Sequence, residues 1–297
     1  MASASNLGAI LTAMVTPFDS HGAVREDATR RLARHLIDHG SDGLVVAGTT
    51  GEAPTLDDAE KLRLMDIVVD EVGDSATVVA GTGSNDTAHS VHLTSQAGGR
   101  GVDAVLIVTP YYNKPNRRGL LAHFKAVAAS TDLPVLLYNI PSRTTINLEP
   151  DLLAELAQVD NIVGVKQANA DMDQARSIVD DAGLALYAGD DNLLGPFGEI
   201  GGSGGITVSS HLAGERMKEL YEAARAGDVE RSRSIDRGLE DVYRTLFIAP
   251  PPASIPSISR AALTVAGGGA MNRVRYTSSS PRSIARERST SPARAAS

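Results

Sequence analysis

The sequence contains no cysteine. This absence excludes a disulfide framework, a thiolate metal site and a cysteine nucleophile. No apolar run approaches the roughly 20 residues that a membrane helix needs. The first basic side chain is Arg25, so the N-terminus lacks the basic region of a signal peptide. We therefore expect a soluble, cytoplasmic protein with no membrane partner.

Basic residues are scarce over most of the chain. Residues 248–297 hold seven Arg and one Glu, which leaves 21 basic and 35 acidic side chains in residues 1–247. An acidic body without a basic stripe argues against a nucleic-acid partner. The C-terminal stretch is also rich in Ser and Pro, a low-complexity composition that is typical of a flexible tail.

Short apolar runs alternate with amphipathic stretches through about residue 247. The runs are apolar at both odd and even positions, as expected of parallel strands that are buried on both faces. They predict eight strands, at residues 10–15, 43–46, 77–80, 104–108, 135–138, 162–165, 185–187 and 205–208. An open doubly wound sheet also alternates strands and helices, but eight repeats of roughly 30 residues favour an α/β fold of the (β/α)8 TIM-barrel type. Helix N-caps are expected at Asn85 and Asp86 before one amphipathic stretch, and at Asn147 and Glu149 before another. We predict a barrel over residues 1–210, a C-terminal helical segment over 211–248 and an atypical tail over 249–297.

Polar side chains follow several of the predicted strands. Residues 48–52 (GTTGE) follow the second strand, residues 109–112 (TPYY) the fourth and residues 138–143 (YNIPSR) the fifth. Lys166 follows the sixth strand, and residues 189–191 (GDD) follow the seventh. Because the active site of such a barrel lies at the carboxyl ends of the strands, these groups should converge on one mouth.

Lys166 is the leading candidate for a catalytic residue. A lysine inside a barrel loses hydration, which disfavours the charged ammonium and lowers its pKa. The free amine can then attack a keto group and form an imine. The alternative is a lysine that extends from a strand end to solvent.

Three other candidates each have a chemical and a structural interpretation. The glycines and threonines of residues 48–51 could hold a carboxylate through amides and hydroxyls, or could form an ordinary turn. Tyr138 could move protons if a hydroxyl network assists it, or could be a half-buried core residue. Arg143 could bind a carboxylate through two hydrogen bonds, or could form a surface ion pair.

Other polar groups favour structural roles. His89 and His92 lie three residues apart, but no acidic partner has an obvious spacing, so a solvated helix face is favoured over a metal site. For Asp190 and Asp191 we predict a helix N-cap rather than a metal pair. Residues 201–205 are glycine-rich, but no Lys-Ser/Thr follows them, so a turn is favoured over a phosphate loop.

Five motifs, in order and at matching spacing, make the chain resemble the dihydrodipicolinate synthase and N-acetylneuraminate lyase family. They are GTTGE at 48–52, VTPYYNKP at 108–115, LYNIPSRT at 137–144, GVK at 164–166 and GDD at 189–191. The resemblance covers roughly residues 8–247. Within the family, Arg143 and the paired tyrosines favour the synthase branch over the sibling aldolases that act on sugar acids or 2-keto-3-deoxy acids.

The resemblance implies a class I lyase that uses a Schiff base and needs no metal or organic cofactor. Lys166 would form the imine with pyruvate, Thr50 would hold the pyruvate carboxylate, and Ile206 would offer its carbonyl to pyruvate. Tyr138, Thr49 and Tyr112 would form a proton relay. The enamine would attack L-aspartate 4-semialdehyde in lysine and diaminopimelate biosynthesis. Arg143 would support the tyrosine network and bind the carboxylate of this second substrate.

The resemblance also implies a homodimer or homotetramer, because Tyr112 in the family reaches into the site of a partner subunit. The departure from the family lies at residues 249–297, where its further helices are expected. Either an altered reading frame or genuine divergence would give the observed composition, and a damaged C-terminus could leave the chain inactive or unstable.

Overall fold

The computed structural model describes residues 7–247, in which eight parallel strands form a closed barrel in the order β1 to β8. The predicted (β/α)8 barrel is thereby confirmed. The strands are β1 Ile10–Ala13, β2 Gly43–Val46, β3 Thr77–Gly81, β4 Ala104–Val108, β5 Val135–Asn139, β6 Ile162–Gln167, β7 Ala185–Ala188 and β8 Gly204–Thr207. Most of their residues are buried on both faces, which explains why the apolar runs do not alternate with polar residues.

Helices connect the strands and cover the outside of the barrel. They are α1 Glu26–Asp38, α2 Asp58–Val72, α3 Thr87–Gly98, α4 Arg117–Ala128, α5 Pro141–Thr144, α6 Pro150–Leu156, α7 Met172–Asp180, α8 Leu194–Glu199, α9 Ser210–Arg225 and α10 Val229–Leu246. Helix α9 packs against β1 and α8, and α10 packs against α8 and α9. Within residues 7–247, no helix is long and apolar enough to cross a membrane.

The starts of the helices test the predicted caps. Asp86 caps α3, since its carboxylate accepts hydrogen bonds from the backbone N–H groups of Ala88 and His89. The expected caps at α6 and after β7 are wrong. Glu149 and Asp190 make no side-chain capping bond, and Asn147 bonds to side chains from two other segments instead.

The pairing of β5 with β6 contains a bulge that determines which side chains share a face. Val135 pairs with Ile162, but Leu136 pairs with Gly164, so Val163 is an extra residue in β6. Side chains alternate along a strand, and one extra residue therefore reverses the faces of all that follow. The bulge places Tyr138 directly opposite Lys166.

The predicted boundaries between barrel, helical segment and tail stay predictions. The predicted tail, residues 249–297, lies outside the described residues.

Candidate active site

A cavity of about 520 Å³ opens at the carboxyl ends of the strands. It brings together five of the residues that the sequence analysis singled out, namely Thr49, Thr50, Tyr138, Arg143 and Lys166. These residues come from three segments, after β2, at the end of β5 and at the end of β6. The convergence follows from the parallel barrel, which directs every carboxyl end to one face.

Lys166 lies in the wall of this cavity and is 6% exposed. Its Nζ atom lies 4.3 Å from the centre of the Tyr138 ring, within the range of a cation–π contact. Burial lowers the pKa of Lys166 to about 8, although the negative charges of Asp191 and Asp190 act in the opposite direction. Near neutral pH a far larger fraction of Lys166 than of an ordinary lysine is therefore a free, nucleophilic amine.

Tyr138 is the neighbour of Lys166 across the β5–β6 pair and is also 6% exposed. Burial raises the pKa of its phenol, while the positive charge of Arg143 and a hydrogen bond from Thr49 lower it. The phenol therefore keeps its proton at neutral pH, and a proton leaves it readily only if another group replaces it. The Thr49 hydroxyl is placed to take part in such an exchange.

The turn after β2 places Thr49 and Thr50 at the cavity. Ala47 adopts a left-handed conformation with φ of 53°, and the Ala53 N–H donates to the Gly48 carbonyl at 3.2 Å. The Thr16 hydroxyl donates to the Gly51 carbonyl at 2.7 Å, and a Cβ at Gly51 would lie 3.0 Å from the Met14 carbonyl oxygen. The turn thus packs closely against the chain that follows β1, and Thr50 is buried within it.

Arg143 lies on the short helix α5, at the rim of the cavity, and is exposed. Within residues 7–247, the groups that line the cavity include Tyr111 but neither Tyr112 nor Ile206. Tyr112 is 89% exposed and has a φ of 71°, so a strained backbone directs it to solvent. Ile206 is fully buried in β8, paired with Leu11.

Asp191 has a role that the sequence analysis did not identify. Its buried carboxylate accepts hydrogen bonds from the backbone N–H groups of Val208, at 3.0 Å, and Ser209. It therefore ties the end of β7 to the segment after β8. The signal in the sequence was the acidic pair itself, but its partners lie 17 and 18 residues further along the chain.

The outer part of the cavity contains a second charged group of residues. The Nε2 atom of His89 lies 2.9 Å from Asp58 Oδ1, and Lys61 Nζ lies 3.5 Å from the same oxygen. The acidic partner of His89 lies 31 residues earlier in the chain, a separation that the sequence alone does not reveal. Among the described residues, no three His, Cys, Asp or Glu side chains come together as metal ligands.

The arrangement combines a free amine, a protonated phenol, hydroxyls and a guanidinium around one cavity. An amine that attacks a ketone needs proton transfer to the leaving oxygen, which the phenol and the hydroxyls can supply. The guanidinium suits a carboxylate at the entrance. The geometry therefore fits imine chemistry on a small keto acid.

Comparison with known proteins places the chain among related sequences. The model of the dihydrodipicolinate synthetase family matches residues 6–275. This match extends beyond residue 247, where the resemblance noted from the sequence alone ends. It therefore includes part of the stretch in which the sequence analysis found no family pattern.

Two relatives and two solved structures illustrate the similarity. A 4-hydroxy-tetrahydrodipicolinate synthase of Moorella thermoacetica is 49% identical over 250 residues, which cover 84% of this chain and 86% of that protein. A protein of the same name from Mycobacterium leprae is 52% identical over 232 residues, or 78% of this chain and 77% of its own. The dihydrodipicolinate synthase of Aquifex aeolicus has a TM-score of 0.86 at 38% identity, over 92% of this chain and 93% of that one. The dihydrodipicolinate synthase of Cyanidioschyzon merolae with lysine bound has a TM-score of 0.84 at 38% identity, over 91% of this chain and 92% of that one.

Proposed function

The chain belongs to the dihydrodipicolinate synthetase family, and from that premise we propose that it condenses pyruvate with L-aspartate 4-semialdehyde through an imine on Lys166. Its activity is that of a 4-hydroxy-tetrahydrodipicolinate synthase, a class I lyase of lysine and diaminopimelate biosynthesis. The observation that carries the residue assignment is the buried amine of Lys166, 4.3 Å from the Tyr138 ring. The relatives described above share one name, so the sibling sugar-acid aldolases receive no support.

Imine formation begins when the free amine of Lys166 attacks the keto carbon of pyruvate. The carbinolamine oxygen must gain a proton to leave as water, and we assign this proton to the hydroxyl of Tyr138, whose ring lies beside Lys166 Nζ. Thr49, hydrogen-bonded to Tyr138, returns a proton to the phenol. A relay suits a phenol whose pKa is raised by burial, because no phenolate has to persist.

Pyruvate itself is held by its carboxylate in this proposal. Thr50 is buried at the cavity wall, and its hydroxyl can donate to one carboxylate oxygen while amides of the same turn serve the other. Ile206 contributes its carbonyl oxygen from β8 and would help to fix the methyl group of the bound pyruvate. These two contacts orient the keto carbon toward Lys166.

The second substrate enters after the imine has lost a methyl proton to become an enamine. The enamine carbon attacks the aldehyde carbon and forms the new C–C bond, and the aldehyde oxygen takes a proton. The amino group of the second substrate then displaces Lys166, closes the ring and restores the free lysine. Arg143, at the rim, binds the carboxylate of this substrate through two hydrogen bonds.

Tyr112 completes the relay from another subunit in this proposal. It is 89% exposed and points away from the cavity of its own chain, whereas the relay requires a hydroxyl near Tyr138. A homodimer, or a homotetramer built from dimers, provides that hydroxyl if each chain inserts Tyr112 at its partner's site.

Borohydride reduction in the presence of pyruvate tests the imine. The expected product is a 1-carboxyethyl group on Lys166, located by mass mapping. Lys61 is a matched internal control, because it is also buried and lines the same cavity. Lys166→Arg should abolish trapping, and Lys61→Arg should preserve it. An adduct on Lys61, or none in folded protein, would refute the assignment.

The pH dependence of trapping tests the state of the amine. Since the pKa of Lys166 is lowered to about 8, the initial trapping rate should rise with pH and level off just above pH 8. An ordinary exposed lysine would require a pH above about 10. A rate that still climbs steeply between pH 9 and 10 would contradict a lowered pKa.

A further inference from the structure

Five amide side chains lie together where β5 and β6 end, and the mechanism above does not use them. We call this group the amide clasp; its members are Asn139, Asn147, Gln167, Asn169 and Gln174. Asn139 is the last residue of β5, and Gln167 is the last residue of β6. Each therefore directly follows a residue of the proposed mechanism, Tyr138 or Lys166.

Asn139 is the centre of the clasp and is completely buried. Its Nδ2 donates to Asn147 Oδ1 at 2.8 Å and to Gln167 Oε1 at 3.0 Å. Its Oδ1 accepts from the backbone N–H of Leu148 at 3.0 Å. One side chain thus closes the loop from residue 139 to residue 148 and also joins β5 to β6.

The other amides complete a ring around the same point. Gln167 Nε2 donates to Asn169 Oδ1 at 2.9 Å, and Asn169 Nδ2 donates to Gln174 Oε1 at 3.0 Å. Gln174 Nε2 then donates to the Leu148 carbonyl at 2.6 Å. Both backbone polar groups of the buried Leu148 are therefore bound by amides, which spares them the cost of burial without a partner.

The loop that the clasp closes carries Arg143. Helix α5 occupies Pro141–Thr144, and the Thr144 hydroxyl bonds to the carbonyls of Ile140 and Ile146. These internal bonds make residues 140–146 a compact unit. The position of that unit relative to the barrel depends on its two ends, at Asn139 and at Leu148, and the clasp fixes both.

The chemistry of the clasp suits its place behind the reactive wall. Side chains alternate along a strand, so Asn139 and Gln167 point to the face opposite to Tyr138 and Lys166. An amide donates and accepts without carrying charge. Amides can therefore hold the loop at any pH without adding a charge beside Lys166, whereas a carboxylate there would favour the ammonium form.

We infer that the amide clasp positions Arg143 for the second substrate. The clasp holds the guanidinium of Arg143 within hydrogen-bonding distance of the carboxylate of that substrate. Asn139 is the positioning residue, and it acts through the loop rather than by contact with substrate. This inference rests on the proposed function, because it assigns Arg143 to the second substrate. It separates the two substrates, since Arg143 lies on the loop that Asn139 closes, whereas the pyruvate contacts at Lys166 and Thr50 lie on β6 and on the turn after β2.

The test is Asn139→Leu, a substitution of similar size that removes all three hydrogen bonds. We expect the KM for the aldehyde to rise about 10- to 100-fold, since small misplacements of a positioning group have effects of this order. The KM for pyruvate and the yield of borohydride trapping should stay within about twofold of wild type. Hydrogen exchange in residues 140–149 should become faster.

Two further variants make the result decisive. Asn139→Ser is uncharged and too short to reach the three partners of Asn139, so it should show the same split between substrates if Asn139→Leu does not fold. Asn161→Leu is the matched control. Asn161 lies at the opposite end of the β5–β6 pair and donates to the carbonyls of Ala128, Thr131 and Leu133. Its loss should reduce stability and leave both KM values unchanged.

The outcomes separate this inference from the proposed function. If the wild-type chain traps pyruvate but does not condense it with the aldehyde, the assigned substrate is wrong, and hydrogen exchange alone decides whether the clasp holds the loop. If wild type condenses and folded Asn139 variants keep a normal KM for the aldehyde, the clasp has no positioning role. An equal loss for both substrates, or the same pattern in Asn161→Leu, also overturns the inference.

Discussion

At the scale of single residues, the phenol of Tyr138 is the group whose removal should report most directly on proton transfer. Tyr138→Phe removes one hydroxyl and almost no volume, so the fold should persist. General acid–base groups contribute about 10²- to 10⁴-fold to rate, and we expect turnover to fall by that factor. Steady-state kinetics with circular dichroism as a check on folding measures it.

Tyr187→Phe is the control for this prediction. Tyr187 is equally buried, in β7, but its hydroxyl donates to the Gly8 carbonyl at 3.2 Å, beside the start of β1 and away from the cavity. Its loss should affect stability alone. If the two variants turn over at similar rates, Tyr138 is only a core residue.

At the scale of helices and strands, the contact between Asp191 and the segment after β8 makes a separate prediction. Asp191→Asn removes the negative charge and replaces one of the two accepting oxygens with an NH2 donor, so the bonds from the backbone N–H groups of Val208 and Ser209 become fewer and weaker. Hydrogen bonds to charged groups contribute about 1.5–3 kcal/mol, so the free energy of unfolding should drop by about that amount in urea titrations. Asp190→Asn, at an exposed neighbour, should change it by less than about 0.5 kcal/mol. Equal effects would mean that the bonds of Asp191 contribute little.

The strands were predictable from sequence because parallel strands that are buried on both faces consist of continuous apolar runs. All eight predicted strands exist, with ends that differ by at most two residues, and Lys166 lies inside β6 rather than just after it. The converging residues of the site followed from the strand ends. Their roles came from the family resemblance and stay proposals.

The contacts that position the site residues could not be predicted, because no pattern in the sequence indicates them. The bulge at Val163 determines that Tyr138 faces Lys166, yet valine is an ordinary strand residue. Asn147 resembled a capping residue because its local sequence permits that role, but its partners come from β5 and the segment after β6. Long-range hydrogen bonds of this kind depend on the closed barrel and have no fixed spacing along the chain.

At the scale of the whole molecule, two buried histidines should make the fold sensitive to mild acid. Burial lowers the pKa of both His123 and His211 to about 4. His211 accepts the Val15 N–H through Nε2, a bond that protonation would break. Since the unfolded pKa is about 6.5, the stability from both residues is complete above that value and is lost as pH falls toward 4.

The expected slope is roughly 1.4 kcal/mol per pH unit for each histidine between about pH 6 and pH 5. Urea titrations at several pH values measure it, and His123→Leu should remove about half of the slope. A free energy of unfolding that stays constant from pH 7 to pH 5 would show that these histidines titrate normally.

Closure of β8 onto β1 has a consequence for how copies of the chain can meet. Among residues 7–247 the barrel is continuous from β1 to β8 and back, so its sheet offers no free edge to which another strand could add. Any association of copies must then use side chains on helices and loops, and among the large apolar side chains of residues 7–247 Tyr112 is the most exposed. Such an assembly depends on the shape and polarity of a few side chains. Single substitutions of these side chains can therefore dissociate it without disturbing the barrel.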